Sequence, residues 1–300
     1  AAAAAAAERD AAPVGPMEER AVAEFHARGF VALRGLLPPS AIPPLREGLE
    51  GKFRECLGII EASGQAFGVG AKEGFTEIVR RHEKRFEMTY GVDLDNPENA
   101  LGEQLRAIRD HPRLREVVEG ILGEDCRLIG SSVVVAEHGA ENQSWHEDGP
   151  HLTQESHLPA HVLNVFVPLV DVTLDVGPTE LRPGSHFFTR KPNLWLVAVA
   201  RKQWQRAERP LLSIGAKAGP SWRAGALRCR CLPVLYTASS LSSTAPNPTG
   251  DALLFDYRVQ HRGLANISGA SRPILVLTFA KPFFRDILNF PPKRSIHGVT

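Results

Sequence analysis

The sequence predicts an α+β protein: a helical first half, then a β half that closes as a sandwich or barrel. Three observations carry this reading. Apolar residues recur at helical spacing as far as residue 123. Short β-branched segments begin after Cys126, and Gly/Pro turns separate them. A length of 300 residues allows two domains or one large one.

Each element follows in order. Residues 1–16 are alanine-rich and low in complexity, and read as a disordered tail. Val22, Phe25 and His26 recur at helical spacing, with Gly29 as a stop. Phe30 to Leu33 is a short strand, and Leu37-Pro38-Pro39-Ser40 turns into a second helix whose apolar face is Leu45, Leu49, Phe53 and Leu57. Gly64 to Gly74 is a glycine-rich loop. Phe75, Ile78, Val79, His82 and Phe86 suggest a third helix. Leu101, Leu105 and Ile108, then Leu114, Val117, Val118 and Ile121, suggest one or two more, interrupted at Pro112. The strand candidates are Arg127–Val135, Val162–Val170, Thr179–Leu181, Ala252–Tyr257 and Ile274–Phe279. Pro168 implies an edge or a bulge. The stretch from about 197 to 249 lacks periodicity, which is atypical inside a compact domain, and reads equally as a mobile lid, an insertion unique to this chain or a translated non-coding segment.

Composition excludes several classes. Lys+Arg number 35 against 34 Asp+Glu, so the net charge is +1, and a dedicated nucleic-acid binder is not expected. Four cysteines are too few for a disulfide scaffold, and Cys229 with Cys231 has no matching pair for zinc. No apolar run is long enough to span a bilayer, and neither a secretory signal nor a peroxisomal Ser-Lys-Leu address is present, so no membrane association and a cytoplasmic location are expected. Histidine is unevenly used: five of the 11 fall between His138 and His161.

The chemistry concentrates at Gln143-Ser144-Trp145-His146-Glu147-Asp148-Gly149. On a strand, His146 and Asp148 face the same way. With a distant histidine they would make a facial triad, the donor set of non-haem Fe(II), which leaves coordination positions open. Taken alone the pair also reads as an exposed loop. His261, at the end of the apolar strand beginning at Asp251, is the natural third ligand. Arg272 follows across a turn rich in Gly263, Asn266, Ser268 and Gly269. Antiparallel pairing across that turn would return Arg272 to His261, placing a guanidinium against a metal-bound dicarboxylate. Taken alone, Arg272 reads as a surface salt bridge. Trp145 faces away from His146 and reads as core packing. His151, His157 and His161 read as solvated or hydrogen-bonded, and His186 as a turn residue.

His146-Glu147-Asp148, then Gly177-Pro178-Thr179-Glu180-Leu181-Arg182-Pro183-Gly184-Ser185-His186, then His261 with Arg272, resemble the phytanoyl-CoA dioxygenase family. Gly29-Phe30-Val31-Ala32-Leu33-Arg34-Gly35-Leu36-Leu37 resembles that family's N-terminal start. The resemblance spans about residues 17–291. It implies a double-stranded β-helix, a jelly-roll or cupin-like barrel with packed N-terminal helices. Residues 17–300 would then be a single domain, helical over 17–123 and jelly-roll over 124–300, with the insertion at about 197–249. It implies Fe(II) on His146, Asp148 and His261, with 2-oxoglutarate and O₂ as co-substrates. Arg272 would hold the far carboxylate of 2-oxoglutarate, and Thr179 would place a hydroxyl against it. Asn164 and Gln143 would line the same pocket. Some members carry a serine two positions after the distal histidine; this chain has Gly263. Related halogenases lack the carboxylate that Asp148 supplies, so the resemblance implies hydroxylation of a small-molecule substrate, with 2-oxoglutarate decarboxylated to succinate. Two rivals stand beside it: an inactive barrel kept as a binding or scaffold module, and a cupin isomerase or hydrolase using another ion. Neither needs Arg272.

Overall fold

The computed structural model of the chain describes residues 16–95, 101–153, 157–187, 234–236, 249–287, 289 and 294–298. The expected tail and the patternless segment, with Cys229, Cys231, Trp195, Trp204 and Trp222, lie outside them, apart from Pro16, Val234–Tyr236 and Thr249.

Among the described residues, four α-helices fall in the first half of the chain. The first, α1 (Pro16–Arg28), carries Glu18 and Glu19 in its first turn and His26 and Arg28 in its last, complementing the helix dipole. The second, α2 (Ile42–Ser63), buries Leu45, Leu49, Phe53, Cys56 and Ile60, spaced three or four apart. The pair α3 (Gly102–Arg109) and α4 (Pro112–Leu122) is divided where the sequence places Pro112, at the first turn of α4.

Ten strands follow or interleave: β1 (Phe30–Leu33), β2 (Ile78–His82), β3 (Arg85–Thr89), β4 (Arg127–Ala136), β5 (Val162–Pro168), β6 (Thr179–Leu181), β7 (Val234–Tyr236), β8 (Ala252–Asp256), β9 (His261–Gly263) and β10 (Arg272–Ala280). They form a seven-stranded sheet, β1-β8-β5-β10-β4-β3-β2, and a three-stranded sheet, β7-β6-β9. Every pairing between these strands is antiparallel. Two such sheets face to face make the jelly roll.

Alternation along the strands divides the large sheet. On β10, Leu275, Leu277 and Phe279 join the core that the helices cover, together with Leu45, Leu105, Val117, Val133 and Val165. The opposite face meets the small sheet: Leu181 of β6 packs with Phe30, Leu253, Phe255 and Val259. Arg272, Ile274, Val276 and Thr278 share that second face by period two.

Three local expectations change. The third helix is instead the β2–β3 hairpin, because Phe86 and Met88 alternate with polar residues and the hairpin completes the large sheet beside β4. Pro168 is neither at an edge nor in a bulge; it ends the central strand β5. The Leu169 N–H points to Pro273 of β10, so the hydrogen Pro168 lacks would point toward β8, whose pairing stops at Phe166. The apolar strand before His261 stops at Asp256, and after a turn at residues 257–260 the chain enters the small sheet as β9. The strands β9 and β10 therefore do not pair; β9 pairs with β6, and β10 with β4 and β5.

Candidate metal centre

His146 reaches the small sheet through an isolated antiparallel bridge to His261. Their backbones exchange two hydrogen bonds, His146 N–H to His261 O (3.1 Å) and His261 N–H to His146 O (3.0 Å). Their rings come to 4.4 Å between centroids. Two residues on, the Asp148 and Gly149 N–H groups both donate to Tyr257 O. The Asn289 amide donates to Asp148 O (3.0 Å) and to the Tyr257 hydroxyl, which itself donates to Asp286 (2.6 Å). The turn between β8 and β9 thus anchors the His146–Asp148 segment from below.

The donor atoms of His146, Asp148 and His261 all lie within 4.8 Å of one another, close enough to share one ion. His261 Nε2 is 3.5 Å from one Asp148 oxygen and His146 Nε2 is 3.8 Å from the other. Each imidazole is oriented by its far nitrogen. His146 Nδ1 lies 2.8 Å from Ser144 O, and His261 Nδ1 lies 3.0 Å from Val259 O. A carbonyl only accepts, so each Nδ1 carries the hydrogen and each Nε2 presents a lone pair. Burial pulls the His261 imidazole below its ordinary value, against the pull of Asp148, and favours the neutral ring a metal requires.

Asp148 is held from the large sheet. The Asn164 amide nitrogen donates to its carboxylate (2.7 Å), and the Thr278 hydroxyl donates to the Asn164 oxygen (2.7 Å). Asn164 is therefore spent on orienting Asp148. Gln143 accepts the Gly263 N–H on its side-chain oxygen (2.9 Å), tying the start of the motif to β9. Thr179 is 4% exposed and pairs with Gly263 in register. Gly177, which begins its motif, has φ +83°, and a Cβ there would lie 2.5 Å from Ala265 O, so only glycine fits.

Arg272 is 2% exposed, and its Nε and Nη1 have no partner among the described residues. It lies six residues before Thr278 on β10, hence on the face that holds Asp148. Sequence reasoning missed Arg85, which is 1% exposed and has the same two nitrogens unpaired. Its signal was hidden inside the expected third helix.

Three other readings change. Trp145 is not in the core; it is partly exposed, between the guanidiniums of Arg182 (3.9 Å) and Arg262 (4.8 Å). His151 and His161 are not solvated; both are buried, and His161 packs against Phe283 and Phe284. Neither ring nitrogen of His161 has a hydrogen-bond partner among the described residues. His186 bonds to the His26 carbonyl (3.2 Å), as a turn residue would.

A family model described as "Phytanoyl-CoA dioxygenase (PhyH)" matches residues 25–274. Solved structures share the fold. The non-heme alpha-ketoglutarate-dependent epimerase SnoN from nogalamycin biosynthesis is 17% identical, with 91% of this chain and 89% of that one covered and a TM-score of 0.52. The carbocyclase SnoK from the same biosynthesis is 16% identical, with 88% and 83% covered and a TM-score of 0.50. HygX from Streptomyces hygroscopicus, solved with nickel and 2-oxoglutarate bound, is 13% identical, with 88% and 87% covered and a TM-score of 0.50. Since the family model spans most of the chain, the protein belongs to the phytanoyl-CoA dioxygenase family.

Proposed function

We propose that this member of the phytanoyl-CoA dioxygenase family is an Fe(II)- and 2-oxoglutarate-dependent oxygenase that hydroxylates a small organic molecule. One observation carries the reading: two imidazoles and a carboxylate, already oriented for one ion, lie on the side of the barrel where buried Arg272 keeps unpaired donors. The donor set suits Fe(II) and leaves coordination positions open. The unpaired donors of Arg272 suit a carboxylate, which accepts charge-assisted hydrogen bonds from a guanidinium. His146, Asp148 and His261 would hold the metal, and Arg272 the far carboxylate of 2-oxoglutarate. When bound, the iron supplies oxidative decarboxylation of 2-oxoglutarate to succinate and CO₂, coupled to oxidation of the substrate by O₂.

The chain's own residues then have defined tasks. Ser144 O and Val259 O fix the two imidazole tautomers. Asn164 holds Asp148 at one oxygen, leaving the other free to bind. Thr179, beside Gly263, would offer its hydroxyl to the co-substrate. The shared core of helices and large sheet supports residues 17–300 working as one unit. No helix among the described residues is long and apolar enough to cross a membrane.

The test is succinate formation by the purified protein. It should require Fe(II), 2-oxoglutarate and O₂ together, and His146→Ala should reduce it to background. Turnover that survives this substitution overturns the reading. Relatives with this fold include an epimerase and a carbocyclase, so the hydroxylation step needs its own measurement: one ¹⁸O atom from ¹⁸O₂ should appear in the substrate-derived product.

A further inference from the structure

Among the strand residues of the large sheet, Glu87 is the one carboxylate on the inner face. Phe86 and Met88 enter the core under the helices, so Arg85, Glu87 and Thr89 point the other way, into the barrel. The same face carries Ser132 and Val134 of β4, then Ile274, Val276 and Thr278 of β10. Glu87 is in register with Val134, and Val134 with Ile274. Thr89 is in register with Ser132, and Ser132 with Val276. Glu87 and Thr89 therefore lie two strand spacings, about 10 Å, from β10.

This part of the face is the wall of a cleft. Ile274 and Val276 are buried, yet neither packs into the helix-covered core or the two smaller apolar clusters, and Val134 is partly exposed. An apolar wall outside every core, set with a few polar groups, is the make-up of a small-molecule site. The cleft adjoins the metal centre. Glu87 Oε2 lies 2.5 Å from Arg81 Nη2, which donates to Asn289 O (3.4 Å), and the Asn289 amide donates to Asp148 O (3.0 Å). One residue, Asn289, thus stands between the Arg81–Glu87 pair and the backbone of a metal ligand.

The ion pair is unsymmetrical. A guanidinium fork commonly takes both oxygens of a carboxylate, but Arg81 Nε (2.6 Å) and Nη2 (2.5 Å) both meet Oε2. That leaves Oε1 to accept from a ligand, and both side chains are partly exposed. Charge decides the ligand's class. Arg81 already neutralises Glu87, and Arg85, two residues earlier on the same face, adds a positive charge. A cation therefore gains little by Coulomb attraction, whereas a neutral donor gains a charge-assisted hydrogen bond. Thr89 and Ser132 set two hydroxyls beside the carboxylate, each able to donate and accept.

We propose that Glu87, Thr89 and Ser132 form the substrate subsite and select a neutral molecule that carries several hydroxyl groups. The inference rests on the reading of the metal centre as an oxygenase site. Glu87 Oε1 accepts from one substrate hydroxyl, and Thr89 and Ser132 bond to its neighbours. The carbon frame lies against Val134, Ile274 and Val276, which turns a C–H bond of the bound molecule toward His146, Asp148 and His261.

The experiment is anaerobic calorimetric titration of the protein loaded with Fe(II) and 2-oxoglutarate. The probes are trans-cyclohexane-1,2-diol, its dimethyl ether, which cannot donate, and protonated trans-2-aminocyclohexanol. The diol should bind about tenfold more tightly than the ether, the low end for hydrogen bonds to a charged group. Glu87→Met should abolish that preference. Thr89→Val keeps the side-chain shape and removes one hydroxyl; it should reduce the preference several-fold, and it guards against misfolding of the methionine variant. Affinity for the ether and for 2-oxoglutarate should hold in both variants. Equal binding of diol and ether by the wild-type protein, or binding of neither, overturns the proposal. So does a preference that survives both substitutions. Tighter binding of the aminocyclohexanol than of the diol would make Glu87 an amine site and overturn the neutral class. Each of these results leaves 2-oxoglutarate binding intact and the parent reading standing. Failure of the wild-type protein to bind 2-oxoglutarate overturns the parent reading and this inference together.

Discussion

Three arginines are among the largest fully buried side chains, and they are not equivalent. Arg258 is closed on itself: Nε and Nη2 meet the two oxygens of Asp256 at 2.8 and 2.6 Å, and Nη1 meets Leu158 O at 2.8 Å. Burial pushes the Asp256 carboxyl up, but Arg258 overcomes this and holds it well below the usual carboxylate range. Arg85 and Arg272 are buried to the same degree without a carboxylate. Burial pulls Arg85 down to about 10, and burial together with the Arg85 charge pulls Arg272 down to about 9. Both values remain above neutral pH, so both side chains stay charged. A buried arginine whose partner is in the fold is structural; one whose partner is absent from the fold is waiting for a ligand.

The largest expected effect tests that distinction directly. Arg258→Met strands Asp256 in the interior and should cost about 3–5 kcal/mol of stability in urea or guanidinium unfolding. Arg272→Met strands no counter-charge and relieves repulsion with Arg85, so its stability should match or exceed that of the wild-type protein. Equal destabilisation by the two substitutions would break the comparison and make Arg272 part of the framework.

The surroundings of Arg258 give the next effect. His151 and His161 are buried near it, and burial, then the Arg258 charge, lowers them to about 4 and about 3. Asp256 pulls the other way on both, and Lys281 adds to the lowering of His161. The native state holds these rings neutral, while the unfolded chain takes up protons once pH falls below about 6.5. Their contribution is whole above that value and is lost as pH falls from 6.5 toward 4. The slope is about 1.4 kcal/mol per pH unit for each ring. Unfolding measured across pH 7 to 4 should show this decline, and His161→Phe should remove one proton from it. A flat profile over that range would mean that the rings titrate as exposed groups.

The sequence reading reached the site unevenly, for a physical reason. His146 and Asp148 are two residues apart, and a period of two is a local property of the chain, so their shared face was legible. His261 is legible as the histidine that ends an apolar strand, but Arg272 is placed by a hairpin to His261 that the structure does not form. The two residues lie on strands of different sheets, and sheet partnership is not a local property. Asn164 was placed at the pocket, but its task of holding Asp148 depends on Thr278, a partner set by the β5–β10 register. Arg85 was invisible because Phe75, Ile78, Val79, His82 and Phe86 fit a helical spacing; only the presence of β4 as a neighbour makes that segment a hairpin. The helices α1, α2 and α4 were legible because their stops and starts, Gly29, Gly64 and Pro112, act within a single turn.

The smallest expected effect sharpens the role of Arg85 without removing it. Gly263 has ordinary backbone geometry, so alanine there adds no strain in φ, and the atoms nearest its Cβ belong to the ends of two side chains: Gln143 Oε1 at 2.6 Å, and Arg85 Nη1 at 2.9 Å and Cζ at 3.2 Å. Side-chain ends can move where backbone cannot, so Gly263→Ala should fold with a stability change within about 1 kcal/mol. Gly263 is two residues after His261 on β9, so the methyl takes the metal-facing side of β9 and must displace Arg85 Nη1 there. If that nitrogen binds the far carboxylate of 2-oxoglutarate, affinity for it should fall several-fold while affinity for 2-oxobutyrate, which lacks that carboxylate, holds. If Nη1 only props the β3–β9 contact, calorimetry should find the two acids weakened together or neither changed. A methyl group on β9 thus separates a guanidinium that binds a ligand from one that, like Arg258, already has its partner in the fold.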